Sequence, residues 1–298
     1  MRHGMKSTMA VVCVATLAST AASAEQQVDR TIDAEADSYI EIYNTSGEIE
    51  VIGWSKNQVS VKGTLDDDVE ELVLERDGKD ILIRVKVPHR HHGNVDANLV
   101  ISVPEKSSIE VSAVSADITV SGILGKQALE TVSGDVETTT AGNDVDAGSV
   151  SGDVDVTGNG KPADFEAATV SGDLTLTNLA GRVDAESVSG DVEIIGGVFD
   201  DVYLESVNGD LEFHGELADG GDLSMESVNG TIDIVFARDP SARFDIETFN
   251  GSIRNCFGPK PERTSRYSPG LELSFTVGDG DSHVSVETLN GSVNICNE

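Results

Sequence analysis

The stretch Glu186-Ser-Val-Ser-Gly-Asp-Val-Glu-Ile194 decides the fold, because the chain repeats it. Thr131-Val-Ser-Gly-Asp-Val, Ser149-Val-Ser-Gly-Asp-Val, Thr169-Val-Ser-Gly-Asp-Leu and Ser206-Val-Asn-Gly-Asp-Leu share its grammar. So do the later Ser227-Val-Asn-Gly-Thr-Ile, Thr248-Phe-Asn-Gly-Ser-Ile and Thr288-Leu-Asn-Gly-Ser-Val. A degenerate copy, Ala113-Val-Ser-Ala-Asp-Ile, precedes them, and an outlying one, Asn44-Thr-Ser-Gly-Glu-Ile, stands near the start. The glycines fall at 134, 152, 172, 190, 209, 230, 251 and 291, in steps of 18 to 21 residues and a last step of 40, about two periods. A fixed period of this size marks a solenoid.

Each copy carries strand chemistry. Apolar pairs stand two and four residues after the glycine: Val154/Val156, Leu174/Leu176, Val192/Ile194, Leu211/Phe213, Ile232/Ile234 and Val293/Ile295. Polar residues fill the places between, so the pattern has period 2 and one buried face. A further apolar or small residue lies five before each glycine (Leu129, Ala147, Ala167, Ala185, Leu204, Met225, Ile246, Val286). The Ser-Gly or Asn-Gly pair is read as a bend, with glycine supplying a positive φ. One coil cannot bury its own inner face, but stacked coils about 4.8 Å apart share a core. The expected fold is all-β, a parallel β-solenoid (β-helix-like) with 18–21-residue coils and an irregular β N-terminal cap.

Organisation follows from composition. Arg2 and Lys6, the apolar run Met9–Leu17 and the small residues Ala22-Ser-Ala24 read as a signal peptide over 1–24. Residues 25–105 read as a β-rich cap with the first coils, and 106–298 as the repeats, interrupted by a proline- and glycine-containing loop at 257–281. No other segment is apolar enough to cross a bilayer as a helix. The chain is expected to be exported, to the periplasm, the cell surface or beyond.

Without Arg2 and Lys6, 18 Lys plus Arg face 53 Asp plus Glu. That balance argues against nucleic acid and anionic lipid as partners. Cys256 and Cys296 each lie five residues after a motif glycine; if their coils are neighbours the sulfurs meet, and an exported chain would oxidise them to a disulfide.

The run Asn44-Thr-Ser-Gly-Glu-Ile-Glu-Val-Ile-Gly-Trp54, then Val59-Ser-Val61, Ile101-Ser-Val-Pro104 and the serial Val-Ser-Gly-Asp-Val units, resembles a bacterial family. These are the β-strand-repeat proteins labelled "putative adhesins", domain of unknown function 4097. The resemblance covers nearly all of the mature chain. It implies an exported β-solenoid of the cell envelope with no established activity, and fold alone does not imply function.

Candidate chemistry is sparse. Acidic columns (Asp135, Asp153, Asp173, Asp191, Asp210; Glu137, Asp155, Glu193, Glu212, Asp233; Glu130, Glu186, Glu205, Glu226, Glu247, Glu287) read as a solvated face. Calcium bridging is the rival, but the calcium-binding Gly-Gly-x-Gly-x-Asp repeat is missing. Ser133, Ser151, Ser171 and Ser189, then Asn208, Asn229, Asn250 and Asn290, are expected to stack as a structural ladder. His89, His91 and His92 read as a polar loop rather than a metal site.

Expected, then, are no catalytic, cofactor-binding or metal residues, and a non-enzymatic acidic repeat surface, adhesin-like or envelope-associated. Its partner would be an envelope or extracellular ligand, glycan or protein. The candidate binding loop holds Lys260, Arg263, Arg266 and Tyr267, because loops concentrate function. The rival is a glycan-active β-helix enzyme, a polysaccharide lyase or hydrolase. It is disfavoured because the basic residues Lys126, Lys161, Arg182, Arg238, Arg243 and Arg254 occupy different repeat positions and form no uronate-neutralising face.

Overall fold

Two columns of core residues hold the molecule together, and the pairing register shows both unbroken. One runs Ala147–Ala167–Ala185–Leu204–Met225–Val286–Ile246, each residue directly paired with the next. The other runs Val154–Leu174–Val192–Leu211–Ile232–Val293–Ile253. All are buried. This is a computed structural model that describes residues 26–88, 95–265 and 269–297. The segment 1–24 expected as a signal peptide, the histidines His89, His91 and His92, and Arg266 and Tyr267 lie outside the described residues.

The fold is all-β and solenoid-like, but its sheet is mixed rather than the uniformly parallel coil expected. Parallel pairing runs through the repeats; antiparallel strands close both ends. At the start, Tyr39–Trp54 pairs along its length with Ser108–Ile123, so the outlying Asn44 copy forms a coil of its own. Beneath it lie Asp80–Lys86 and Ala97–Pro104, also parallel. Glu71–Asp77 and Gln58–Leu65 then run antiparallel on these, and Gln26–Asp33 antiparallel on Gln58–Leu65.

The C-terminal end departs from sequence order. Ser282–Asn290 pairs with Leu211–Asn229 on one side and Ala242–Asn250 on the other. Val293–Asn297 likewise sits between Ile232–Phe236 and Ile253–Asn255. Ser282 to Asn297 is therefore not the closing coil: it is inserted between two coils made earlier. The true terminal coil, Ala242–Asn255, is covered by Leu271–Thr276, which runs antiparallel on Ala242–Asn250. The 257–281 segment, expected as a loop, thus supplies a capping strand. Side-chain amides record the same order, Asn229 donating to Asn208 at 3.0 Å and Asn290 to Asn229 at 3.1 Å.

The motif glycine serves closeness more than bending. Gly152 has no positive φ, but a Cβ there would stand 2.0 Å from the Gly134 carbonyl oxygen. At Gly190, which does take the expected positive φ (153°, as Gly134 does at 150°), the distance to the Gly172 oxygen would be 1.8 Å. Buried hydroxyls then bind the same carbonyls: Ser149 donates to Gly134 O at 3.0 Å and Thr169 to Gly152 O at 3.1 Å. Toward the C-terminal end the core turns aromatic, with Phe199, Phe213, Phe236 and Phe244 in contact at centroid separations of 5.8–5.9 Å.

Cys256 and Cys296 are joined, their Cα atoms 5.0 Å apart and 40 residues apart in sequence. The bond ties the terminal coil to the inserted one. Closing a loop of that length should stabilise the fold by about 4 kcal/mol in the chain-entropy model. Reduction should therefore lower the melting temperature and speed hydrogen exchange first in Ile253–Asn255 and Val293–Asn297. Unchanged exchange there after full reduction would remove the clamp.

Candidate binding surface

On the strand before each glycine, the inward residues are the small or apolar one at glycine minus five and the hydroxyl at minus three. The residues at minus four and minus two therefore face outward. Minus four is glutamate through the last coils. In spatial order the pairs are Glu186–Glu205, Glu205–Glu226, Glu226–Glu287 and Glu287–Glu247. The antiparallel cap continues the row, since Glu247 pairs with Glu272 and Glu272 with Glu262. Seven glutamates stand side by side, two of them supplied by a segment that reads as a loop in the sequence.

Minus two is apolar, and exposed except at the half-buried Val207. Val188 is 44% exposed, Val228 38%, Leu289 48% and Phe249 57%, and Val132, Val150 and Val170 continue the column toward the N-terminal end. Sequence reading passed over this column, although its signal was present: an aliphatic or aromatic residue recurs on the outward phase of every copy from Ala113 onward. A contiguous exposed apolar strip rimmed by polar groups marks an interaction surface.

At the C-terminal end the strip enters a groove of about 320 Å³. Val228, Leu289 and Phe249 line it together with Glu226, Glu287 and Glu247. Thr264 and Gly270, from the segment expected to carry binding, also border it. Of that segment's named candidates, Lys260 and Arg263 are exposed, and Arg266 and Tyr267 lie outside the described residues.

Electrostatics here is dominated by like charge. Burial, then the charges of Asp184, Glu205 and Glu166, push the Glu186 carboxyl above the ordinary 4.5. Burial, then Glu193, does the same to Glu212 in the neighbouring acidic column. Tyr203 donates to Glu205 at 2.7 Å, and that bond raises the phenol. Among the described residues no Lys, Arg or His forms an ion pair with Glu186, Glu205, Glu226, Glu287 or Glu247.

The aspartate column differs from the solvated face expected of it. Asp135 N–H donates to Asp117 Oδ1 at 3.0 Å, and the pattern continues through Asp153, Asp173 and Asp191 to Asp210. These carboxylates are exposed, yet they stitch coil to coil.

A pH dependence follows. A carboxyl raised in the folded state adds stability below its unfolded value, 4.5, and loses it as pH rises through the folded value. Asp37, held low by its hydrogen bond to Lys79, acts in the opposite sense. With Glu186 and Glu212 both raised, the melting temperature should be higher at pH 5 than at pH 8, and added sodium chloride should narrow the difference. A higher value at pH 8 in low salt would contradict the ladder's cost.

Residues 38–296 match Toastrack DUF4097, a family defined as a domain of unknown function. No curated protein matches the chain. Among solved structures, similarity extends to a "putative adhesin" from Bacteroides fragilis (13% identity, 93% of this chain and 99% of that one, TM-score 0.44). It also extends to a "putative cell adhesion protein" from Clostridium sporogenes (12%, 92% and 100%, TM-score 0.24). A third is a "putative lipid binding protein" from Parabacteroides distasonis (12%, 90% and 96%, TM-score 0.37).

Proposed function

Starting from a chain that belongs to the Toastrack DUF4097 family, we propose that it is an exported, non-enzymatic binding protein of the cell envelope, adhesin-like in that it holds another macromolecule on its repeat surface. The observation that carries this is one outer face on which an exposed apolar column runs beside a glutamate row whose members from Glu186 to Glu247 form no ion pair among the described residues. Directly opposed like charges destabilise a sheet, and outward valines gain little by burial while inviting association. Their recurrence in coil after coil fits a surface covered in use.

The test is retention of envelope proteins and glycans on immobilised protein. Phe249→Ser with Leu289→Ser should reduce retention strongly, and Thr175→Ser, on another outward column, should not. The retained ligand should be recovered intact. Equal retention by all three proteins would sink the reading, and recovery of cleaved ligand would favour the glycan-active enzyme.

A further inference from the structure

We propose that the partner presents a cationic amphipathic helix, laid along the glutamate and valine columns with its C-terminal-end anchor in the Phe249–Leu289 groove. This rests on the face identified under the proposed function and specifies what covers it.

Charge comes first. Neighbouring coils set the carboxylates about 4.8 Å apart, close enough that adjacent pairs repel even at the dielectric of water. No basic side chain among the described residues forms an ion pair with the five glutamates from Glu186 to Glu247. A second copy of this chain would bring its own glutamates to the contact, and acidic glycans or anionic lipid would add more negative charge. A neutral ligand would take carboxylates out of water without a partner, which is unfavourable. A cationic ligand relieves the repulsion instead.

The apolar column selects among cationic ligands. It lies two residues along the same strand from the glutamates, hence about 7 Å away on the same face. The partner must therefore carry an apolar edge beside a basic one. The groove has the same two-sided character: its apolar lining suits the methylene stem of a Lys or Arg whose head reaches Glu226, Glu287 or Glu247.

Spacing selects the conformation. The columns repeat about every 4.8 Å. Helical turns recur about every 5.4 Å, whereas same-face residues of an extended strand laid along the axis recur about every 6.7 Å. A helix with anchors at i, i+3, i+4 and i+7 follows the columns more closely over several coils.

The experiment measures fluorescence anisotropy of labelled probes with the purified exported protein at 0.15 M salt. The probes are an 18-residue Leu/Lys amphipathic helix, a scrambled peptide of identical composition, a Leu/Glu helix and a glucosamine oligosaccharide. The Leu/Lys helix should bind at least tenfold tighter than the scramble, and the Leu/Glu helix should not bind. F249S/L289S should weaken the Leu/Lys helix at least tenfold without moving the melting temperature, since both side chains are exposed. E226Q/E287Q should weaken it and flatten its salt dependence.

Equal affinity for helix and scramble, or indifference to F249S/L289S, would overturn the proposal. Sedimentation showing a dimer that F249S/L289S dissolves would overturn it in favour of self-association. Glucosamine binding that alone responds to F249S/L289S would leave the face standing and replace the partner class. No response to F249S/L289S from any probe or envelope macromolecule would remove the face itself.

Discussion

Ending the chain at Asp281 should abolish the cooperative fold of the C-terminal half, although only the residues from Ser282 onward are lost. Ser282–Asn290 and Val293–Asn297 fill the gap between two coils and hydrogen-bond to both. Four side chains in them, Val284, Val286, Val293 and Ile295, are fully buried. At about 1.5–3 kcal/mol each, their loss removes roughly 6–12 kcal/mol, as large as the whole stability of a typical domain at about 5–15 kcal/mol. Were this coil the outermost one, truncation would only shorten the stack. The measurement is hydrogen exchange across Leu211–Asn250 together with a thermal melt. Native protection in that region would show that Ala242–Asn255 can drop one place onto Leu211–Phe236. The shared motif permits that slip, since Thr248-Phe-Asn-Gly aligns with Ser227-Val-Asn-Gly.

Ile194→Asp should cost about 4 kcal/mol or more, and Glu193→Lys next to it should be neutral or stabilising. Ile194 is fully buried between Leu176 and Phe213, so an aspartate there leaves a charge without water or partner. Glu193 faces outward and pairs with Glu212, whose carboxyl it helps to push up. A lysine at 193 turns that repulsion into attraction. Comparison of the two melting temperatures is the check. Equal, large losses would mean that the inward and outward phases are exchanged.

The core was legible because its signal is redundant. Every copy repeats the apolar pair after the glycine, and residues such as Val192 and Ile194 are buried as the period-2 pattern requires. Neighbour order was only half legible. Coils with the same grammar pair equally well with any other, so nothing in Ser227-Val-Asn-Gly says that Thr288-Leu-Asn-Gly rather than Thr248-Phe-Asn-Gly lies next to it. Cys256 and Cys296 mark one adjacency, but they do not say which of the two coils is outermost. The glycine's role escaped for a related reason, because closeness to the Gly134 or Gly172 carbonyl is a property of the stack and not of one turn. The binding surface was missed by asking which charged residues align. The outward valines carry no charge and so fell outside that question, and Glu262 and Glu272 were hidden in a segment whose prolines and glycines suggested a loop.

Antiparallel strands cover both ends of the stack, Gln58–Leu65 and Glu71–Asp77 at one, with Gln26–Asp33 laid on the first of them, and Leu271–Thr276 at the other. A cap of this kind takes the place of the bare coil edge on which a further coil would stack. Growth of the molecule in evolution is thereby confined to its middle. Duplication of one period between residues 127 and 208 would insert a coil between two of its own kind. The length would increase by about 4.8 Å, with another valine outside and another hydrophobic pair within. The seals would not notice, and neither would the crossing at Ser282. Chains of this design can therefore differ in reach by whole coils while keeping identical ends.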